Sequence, residues 1–347
     1  MSLQDFPEQK VKAKLLEILN REEVEREDRD REDRDREDRD REGMDWVDPE
    51  NSMIKSQPVE QVHHGKVRDV YLSKNYCLLK ATDRISAFDY SLGKVPFKGL
   101  VLNRISQWWF NMLTKETWAK SEGLRGHVLS EGSDQTMLCQ RTRPVLLEFV
   151  VRGYLTGSSP TSILTHYNRG SRNYCGCHLP NGLVKHQRLP EVLVTPTTKS
   201  THDELISGQE IVEKGYLNQQ EWEWCHRVVL KLFEWGSRIS SQKGLILVDT
   251  KYEFGRDLET GQLILIDELH TPDSSRFWIA SSYQERFTKG ETPENINKEF
   301  LRVWIKENHP EWLVNGRMGV IPKDLLAETG VKYLLYAWIM LGQLLCQ

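Results

Sequence analysis

Residues 244–268, GLILVDTKYEFGRDLETGQLILIDE, decide how the chain is read. Two apolar runs flank a turn, the pattern of a β-hairpin, and Gly261 within 258–262 supplies the permissive backbone such a turn uses. Charges nevertheless interrupt the runs at Asp249, Lys251, Glu253, Asp267 and Glu268. Side chains alternate along a strand, so Asp249, Lys251 and Glu253 share one face while Val248, Thr250, Tyr252 and Phe254 share the other. With the turn centred near Thr260, Glu253 is predicted to lie opposite Asp267, with Cβ atoms about 5 Å apart. Two readings fit this pattern. In one, a divalent cation sits between the opposed carboxylates; Mg²⁺ takes one or two carboxylates and leaves its other positions to water and phosphates. In the other, the hairpin shows water a charged face with a lysine between two acids.

The rest of the chain narrows the choice. At 347 residues it exceeds the usual single core, so two packed lobes are expected. A formal net charge of -4 gives no general attraction for nucleic acid or anionic membrane. The six cysteines are too sparse for a disulfide framework, which points to a reducing, cytoplasmic setting. Cys175 and Cys177 form the one close pair, and no second pair completes a zinc set; ordinary loop thiols are the expectation. The first dozen residues are charged and carry no apolar core of a secretory signal. Near the C-terminus YLLYAWIMLGQLL is too short to span a bilayer and reads as a terminal helix on the core.

Three segments follow from composition. Residues 1–50 are a charged low-complexity extension: Val11, Leu15, Leu16 and Leu19 form a helical stripe, and REDRD then repeats three times from Arg26. The extension is expected to be dispensable, with an interaction arm as the alternative. Residues 51–145 are strand-rich, with a helix where Leu102, Ile105, Trp109 and Leu113 make an apolar stripe. Residues 146–347 mix strands and helices without regular βαβ alternation, and the whole reads as α+β.

Polar motifs punctuate both lobes. GKVRDVY offers Gly65 for close backbone approach to a phosphate, with Lys66 and Arg68 as cations, in a strand-turn-strand. It does not match the Walker pattern. TDRISAFD ends a strand with Asp83, Arg84, Ser86 and Asp89, either ligand contacts or a capped turn. VVRGYLTGSSP sets Arg152 before Gly157, Ser158 and Ser159, a guanidinium fork beside hydroxyls that suits an anion. TPTTKSTHDE carries Lys199 and Asp203, and Thr201 to Glu204 also fits a helix N-cap. TPDSSRFW adds Arg276, which either pairs with Asp273 or makes a second anion contact. Together these groups describe a protein that holds ATP and a second phosphorylated molecule, and phosphoryl transfer needs no serine or cysteine nucleophile.

GKVRD, TDRISAFD, VVRGYLTGS, TPTTK with HDE, VDTKYEFG and IDE with TPDSSRFW occur here in the order seen in SAICAR synthetases, and over roughly residues 55–310 the chain resembles that family. The resemblance implies an α+β fold of two lobes, with an antiparallel-sheet N-lobe, a mixed α/β C-lobe and ATP in the cleft between them. It implies that ATP, the carboxyaminoimidazole ribonucleotide CAIR and L-aspartate give ADP, phosphate and SAICAR with Mg²⁺, through an acyl phosphate. Glu253 and Asp267 resemble the Mg²⁺-ATP carboxylates, Gly65, Lys66 and Arg68 the phosphate loop, and Lys199 the lysine at the nucleotide phosphates. Arg152, Ser158 and Arg276 resemble the ribonucleotide-phosphate contacts. Asp203 resembles a contact to the ring substituents, Lys251 a cation near the carboxylate, and Asp83, Arg84 and Ser86 further site residues. The adenine is implied near residues 139–146. Three features depart from the family: Ser158-Ser159-Pro160 intervenes where it usually continues TGSG followed by tryptophan, NYCGCHLPNGLVKHQ has the expected place but unusual cysteines, and the REDRD repeats have no counterpart in it. Two rivals remain, a small-molecule kinase on the same fold and a nucleotide-binding scaffold; aspartate dependence separates the first. A homo-oligomer is compatible with the sequence.

Overall fold

The computed structural model describes residues 3–32, 45–46, 57–88, 90–159, 161–199, 203–296, 299–315 and 317–346. The chain forms two compact units, Met1–Gln107 with Val128–Arg141 and Phe300–Gln347, and Trp108–His127 with Thr142–Glu299. The fold is α+β, with antiparallel sheets in both units.

In the first unit an antiparallel sheet runs in the order Gln61–His64, Arg68–Leu72, Tyr76–Ala81, Thr136–Gln140, Val128–Glu131. Its inner residues Cys77, Leu79, Met137 and Cys139 make one apolar cluster. The C-terminal helix Lys323–Leu341 is apolar on nearly every side and buries Tyr333, Leu334, Tyr336, Ala337 and Met340, as expected for a terminal core helix. The first helix, Glu8–Glu32, packs against it. Val11, Leu15 and Leu19 are buried there, Leu15 completely. Gly330 admits Leu15, since a Cβ at that position would stand 3.0 Å from its Cδ1. Phe6 meets Trp338 edge-on at 6.2 Å, and Lys323 donates to Asn20 at 2.9 Å. Phe6, Val11, Leu15 and Leu19 therefore join the core of this unit, although the composition of the extension gave no sign of a buried face on that scale. A burial of this kind needs a partner 300 residues away, which no local pattern reveals. The helix takes in the first REDRD unit, and residues 33–44, with the rest of the repeats, lie outside the described residues.

In the second unit the central strand is Leu245–Asp257. Its neighbours are Thr142–Pro144, Leu147–Tyr154, Leu263–Ile266 and Ser275–Ile279, and Arg188–Thr198 extends the sheet beyond Leu147–Tyr154. The long helix Gln219–Gln242 starts at a capping box of Asn218 and Glu221 and buries Cys225, Val228, Val229, Leu232, Phe233 and Trp235 at helical spacing. Val248, Tyr252 and Phe254 are fully buried on the apolar face of the central strand. Each such burial stabilises by about 1.5–3 kcal/mol. The fold therefore pins one face of Leu245–Asp257 and leaves the other, with Asp249, Lys251 and Glu253, to chemistry.

Candidate active site

The hairpin turn forms where Gly261 was placed, at φ +72°, with the Gly261 amide donating to the Asp257 carbonyl at 2.9 Å. The Asp257 carboxylate accepts the amides of Glu259 and Thr260 at 2.8 and 3.0 Å, an Asx-type closure. The register differs from expectation by one residue, because Arg256 pairs with Leu263 and Glu253 faces Ile266 rather than Asp267. A one-residue slip in a strand turns a side chain to the opposite face. Asp267 would then point away from Glu253, yet its backbone takes the left-handed conformation, φ +66°, and its carboxylate returns to within 3.7 Å of Lys251 Nζ. That conformation costs a non-glycine residue roughly 1–2 kcal/mol, less for Asp than for most.

Three carboxylates surround Lys251. Its Nζ donates to Glu253 at 2.7 Å and to Glu148 at 2.9 Å, with Asp267 beyond them. Glu253 also pairs with Lys199. Burial alone would lower the Lys251 ammonium, but Glu253, Glu148 and Asp267 outweigh it and hold the group well above its ordinary value. Glu253 moves upward, first because it is buried and then because Asp267 is near, with Lys251 and Lys199 offsetting only part. Three acids against two ammonium groups leave a surplus of negative charge. Oxygen donors of this kind suit Mg²⁺. Among the described residues no group of three or more His, Cys, Asp or Glu is arranged to hold a metal ion, so a cation here would rest on one or two carboxylates.

Farther along the same face the arrangement inverts. Asp249, buried, accepts Arg276 Nη1 at 2.6 Å and lies 3.4 Å from Arg152 Nη1. Arg152 Nε donates to Thr195 Oγ1 at 2.9 Å, and its guanidinium lies 5.9 Å from the Tyr174 ring centroid. Arg276 Nη2 reaches Glu299 at 3.5 Å, and Glu299 also accepts Ser158 Oγ. Arg276 thus pairs with Asp249 and Glu299, not with Asp273. Burial would lower Arg276, but Asp249 and Glu299 raise it above its ordinary value. Two guanidiniums held side by side by one carboxylate keep fixed forks for an incoming anion.

Beyond Lys199, the Thr198 amide donates to the Glu204 carbonyl at 2.9 Å and the Glu204 amide donates to Thr198 Oγ1 at 3.3 Å. Asp203 is exposed on it. The following helix begins at Gly208 with Ser207 as its cap and Glu210 completing the capping box. Thr201 itself lies outside the described residues.

The first unit holds the other candidates. Gly65 turns the chain between its strands, its amide donating to the Arg68 carbonyl at 2.8 Å; a Cβ there would collide with that oxygen at 2.7 Å. Lys66 is exposed and Arg68 half-buried. Arg84 donates to the Gly65 carbonyl at 2.8 Å and to Asp69 at 2.6 Å, which braces the turn. Asp83 accepts the Gly99 amide at 2.8 Å at the start of the helix Lys98–Leu113, and Ser86 is buried in the hairpin strand Arg84–Ala87. Asp89 lies outside the described residues. Residues 139–146 span the end of Thr136–Gln140 and the strand Thr142–Pro144.

Sequence reasoning missed Glu148, Asp249 as a clamp, Glu299 and Asp69. Asp249 was readable from its place on the Lys251 face; the other three pair across distance. Cys175 and Cys177 sit at a small hairpin turn with Sγ atoms 3.6 and 3.5 Å from the Pro196 and Val194 carbonyls. Burial pushes the Cys175 thiol up to about 12, which suits an inert thiol.

The α+β scaffold thus sets a carboxylate-rich cluster and a guanidinium pair on one strand face. The family model of SAICAR synthetase matches residues 61–317. A chloroplastic phosphoribosylaminoimidazole-succinocarboxamide synthase of Arabidopsis thaliana is 48% identical over 272 residues, 78% of this chain and 64% of that protein. The chain thus spans a little under two thirds of that relative's length. A Legionella pneumophila (strain Paris) phosphoribosylaminoimidazole-succinocarboxamide synthase is 44% identical over 280 residues, 80% of this chain and 87% of that one. Among solved structures, the SAICAR-synthase of Saccharomyces cerevisiae complexed with SAICAR superposes with a TM-score of 0.68 at 32% identity, covering 84% of this chain and 97% of that one. The chain belongs to the SAICAR synthetase family.

Proposed function

We propose that the chain is an ATP-dependent ligase that joins L-aspartate to the carboxylate of CAIR, giving SAICAR, ADP and phosphate in purine biosynthesis. The observation that carries the reading is the single strand face on which Lys251 gathers Glu148, Glu253 and Asp267 while Asp249 gathers Arg152 and Arg276. Names of relatives on both sides of the plant and bacterial divide support it, and nothing favours the kinase or scaffold alternatives.

The residues divide the work by charge. Arg152, Arg276 and Ser158 take the ribonucleotide phosphate, whose charge competes with Glu299 for Ser158 and Arg276. Lys251 lies beside the CAIR carboxylate, offsets its charge and orients it toward the γ-phosphate. Asp203 contacts the ring substituents. Lys199 holds nucleotide phosphate, and in the first unit Gly65, Lys66 and Arg68 keep the phosphate-binding role, with Asp83, Arg84 and Ser86 supporting that region. Glu253 and Asp267 fit Mg²⁺, as hard oxygen donors with surplus negative charge. When bound, Mg²⁺ supplies charge neutralisation at the phosphates. Phosphoryl transfer turns the CAIR carboxylate into an acyl phosphate, whose phosphate then leaves as the aspartate amine attacks the carbonyl carbon. Six free cysteines suit a reducing compartment, and we assign the cytosol. Among the described residues no helix is long and apolar enough to cross a membrane.

The test is ADP release by purified protein with ATP, Mg²⁺ and CAIR, with and without L-aspartate, with mass detection of the imidazole product. Aspartate-dependent ADP release with SAICAR formed is the expected result. ADP release with phosphorylated product and no aspartate incorporation would replace the ligase with a kinase.

A further inference from the structure

We propose that His127 is a positioning residue that fixes the Asp267 carboxylate for divalent-cation binding, through a hydrogen bond to the Asp267 backbone carbonyl. The inference rests on the metal role given to Glu253 and Asp267 above.

His127 Nε2 lies 3.2 Å from the Asp267 carbonyl oxygen. A carbonyl only accepts, so Nε2 carries the proton and donates. The ring is held in place. His127 is buried, its own amide donates to the Leu265 carbonyl at 2.9 Å, and the Leu265 amide donates to the Arg125 carbonyl at 3.0 Å. Residues 125–127 thus run along the second edge of Leu263–Ile266, with Gly126 bridging Leu265 in parallel. Phe110 packs against the imidazole with ring centroids 5.4 Å apart.

The bond acts at the residue where register and function conflict. Pairing alone sends the Asp267 side chain to the face opposite Glu253; the left-handed φ of +66° brings it back to Lys251. That conformation persists only where its surroundings over-determine it. His127 grips the carbonyl that ends the residue. Three residues on, His270 is also left-handed, φ +48°, and its Nε2 shares a hydrogen bond with the Tyr252 hydroxyl at 2.7 Å. Two buried imidazoles therefore pin the turn at both ends, and His127 is the one that touches Asp267. Partners that orient metal ligands from behind in this way change metal affinity or activity about 10–100-fold when removed.

The test compares His127→Leu with His127→Gln, whose side-chain amide places an N–H near the position of Nε2. Mn²⁺ binding in the presence of ADP is titrated by electron paramagnetic resonance, and the Mg²⁺ concentration for half-maximal ADP release is measured alongside. His127→Leu is expected to weaken Mn²⁺ binding about 10–100-fold, with His127→Gln recovering to within about threefold of the unmodified protein. Unchanged Mn²⁺ affinity in His127→Leu overturns the proposal, as does an equal loss in both variants, which would mark the ring as packing only. Should His127→Leu fail to fold, His127→Asn, with an amide too short to reach, takes its place. The Mn²⁺ titration decides the positioning role even if the unmodified protein shows no aspartate dependence; that result would remove the ligase reading alone.

Discussion

Lys251 and Asp249 stand two residues apart on one strand face, about 7 Å along the chain, and their surroundings are opposites. Lys251 is a cation inside three carboxylates, and Asp249 is a carboxylate inside two guanidiniums. Each central charge organises the groups around it. Around Lys251 the carboxylates keep a surplus of negative charge for a cation, whereas around Asp249 the guanidiniums keep donors for an anion. A single alternating strand thus presents two binding chemistries of opposite sign without any change of secondary structure.

The comparison breaks first at Asp267. Asp267→Ala is expected to reduce aspartate-dependent ADP release at least about 10²–10³-fold, the scale of losing one group that stabilises transition-state charge. Circular dichroism should show the fold intact. Activity near that of the unmodified protein, with ordinary Mg²⁺ dependence, would mean that the carboxylate cluster is only structural.

A smaller effect is expected at the anion end. Arg276→Ala leaves Asp249 to Arg152 and removes charge-assisted bonds worth about 1.5–3 kcal/mol, so the KM for CAIR should rise roughly 10–100-fold. Steady-state kinetics with varied CAIR and saturating ATP give the number. A comparable rise in the KM for ATP instead would reassign the guanidinium pair to the nucleotide.

The smallest effect at either end is expected from the N-terminal helix. Leu15→Ala should cost about 2–5 kcal/mol of stability through the cavity it leaves beside Gly330, while the KM values for ATP and CAIR stay as they were. Urea titration measures the first and steady-state kinetics the second. An unaltered urea midpoint would show that residues 6–20 add nothing to the core, and would support the reading of a dispensable extension.

Much of this was open to a reader of residues. Alternation placed Asp249, Lys251 and Glu253 together, Gly261 marked the turn, and the helical stripe of Leu102, Ile105, Trp109 and Leu113 is buried in full. Helix starts were harder. Ser207 caps a helix with Glu210 three residues on, a spacing that Thr201 and Glu204 also offer in the sequence. Pairings across distance were not legible at all: Glu299 with Arg276, Glu148 with Lys251 and Leu15 on the C-terminal helix each depend on how elements meet.

The sequence by itself determined the charged face, the turn that folds it and, through six ordered motifs, the family. Tertiary structure alone decided which way Asp267 points. Alternation is a local rule and, with the observed register, sends that carboxylate to the wrong side; one left-handed backbone torsion, beside the buried ring of His127, sends it back.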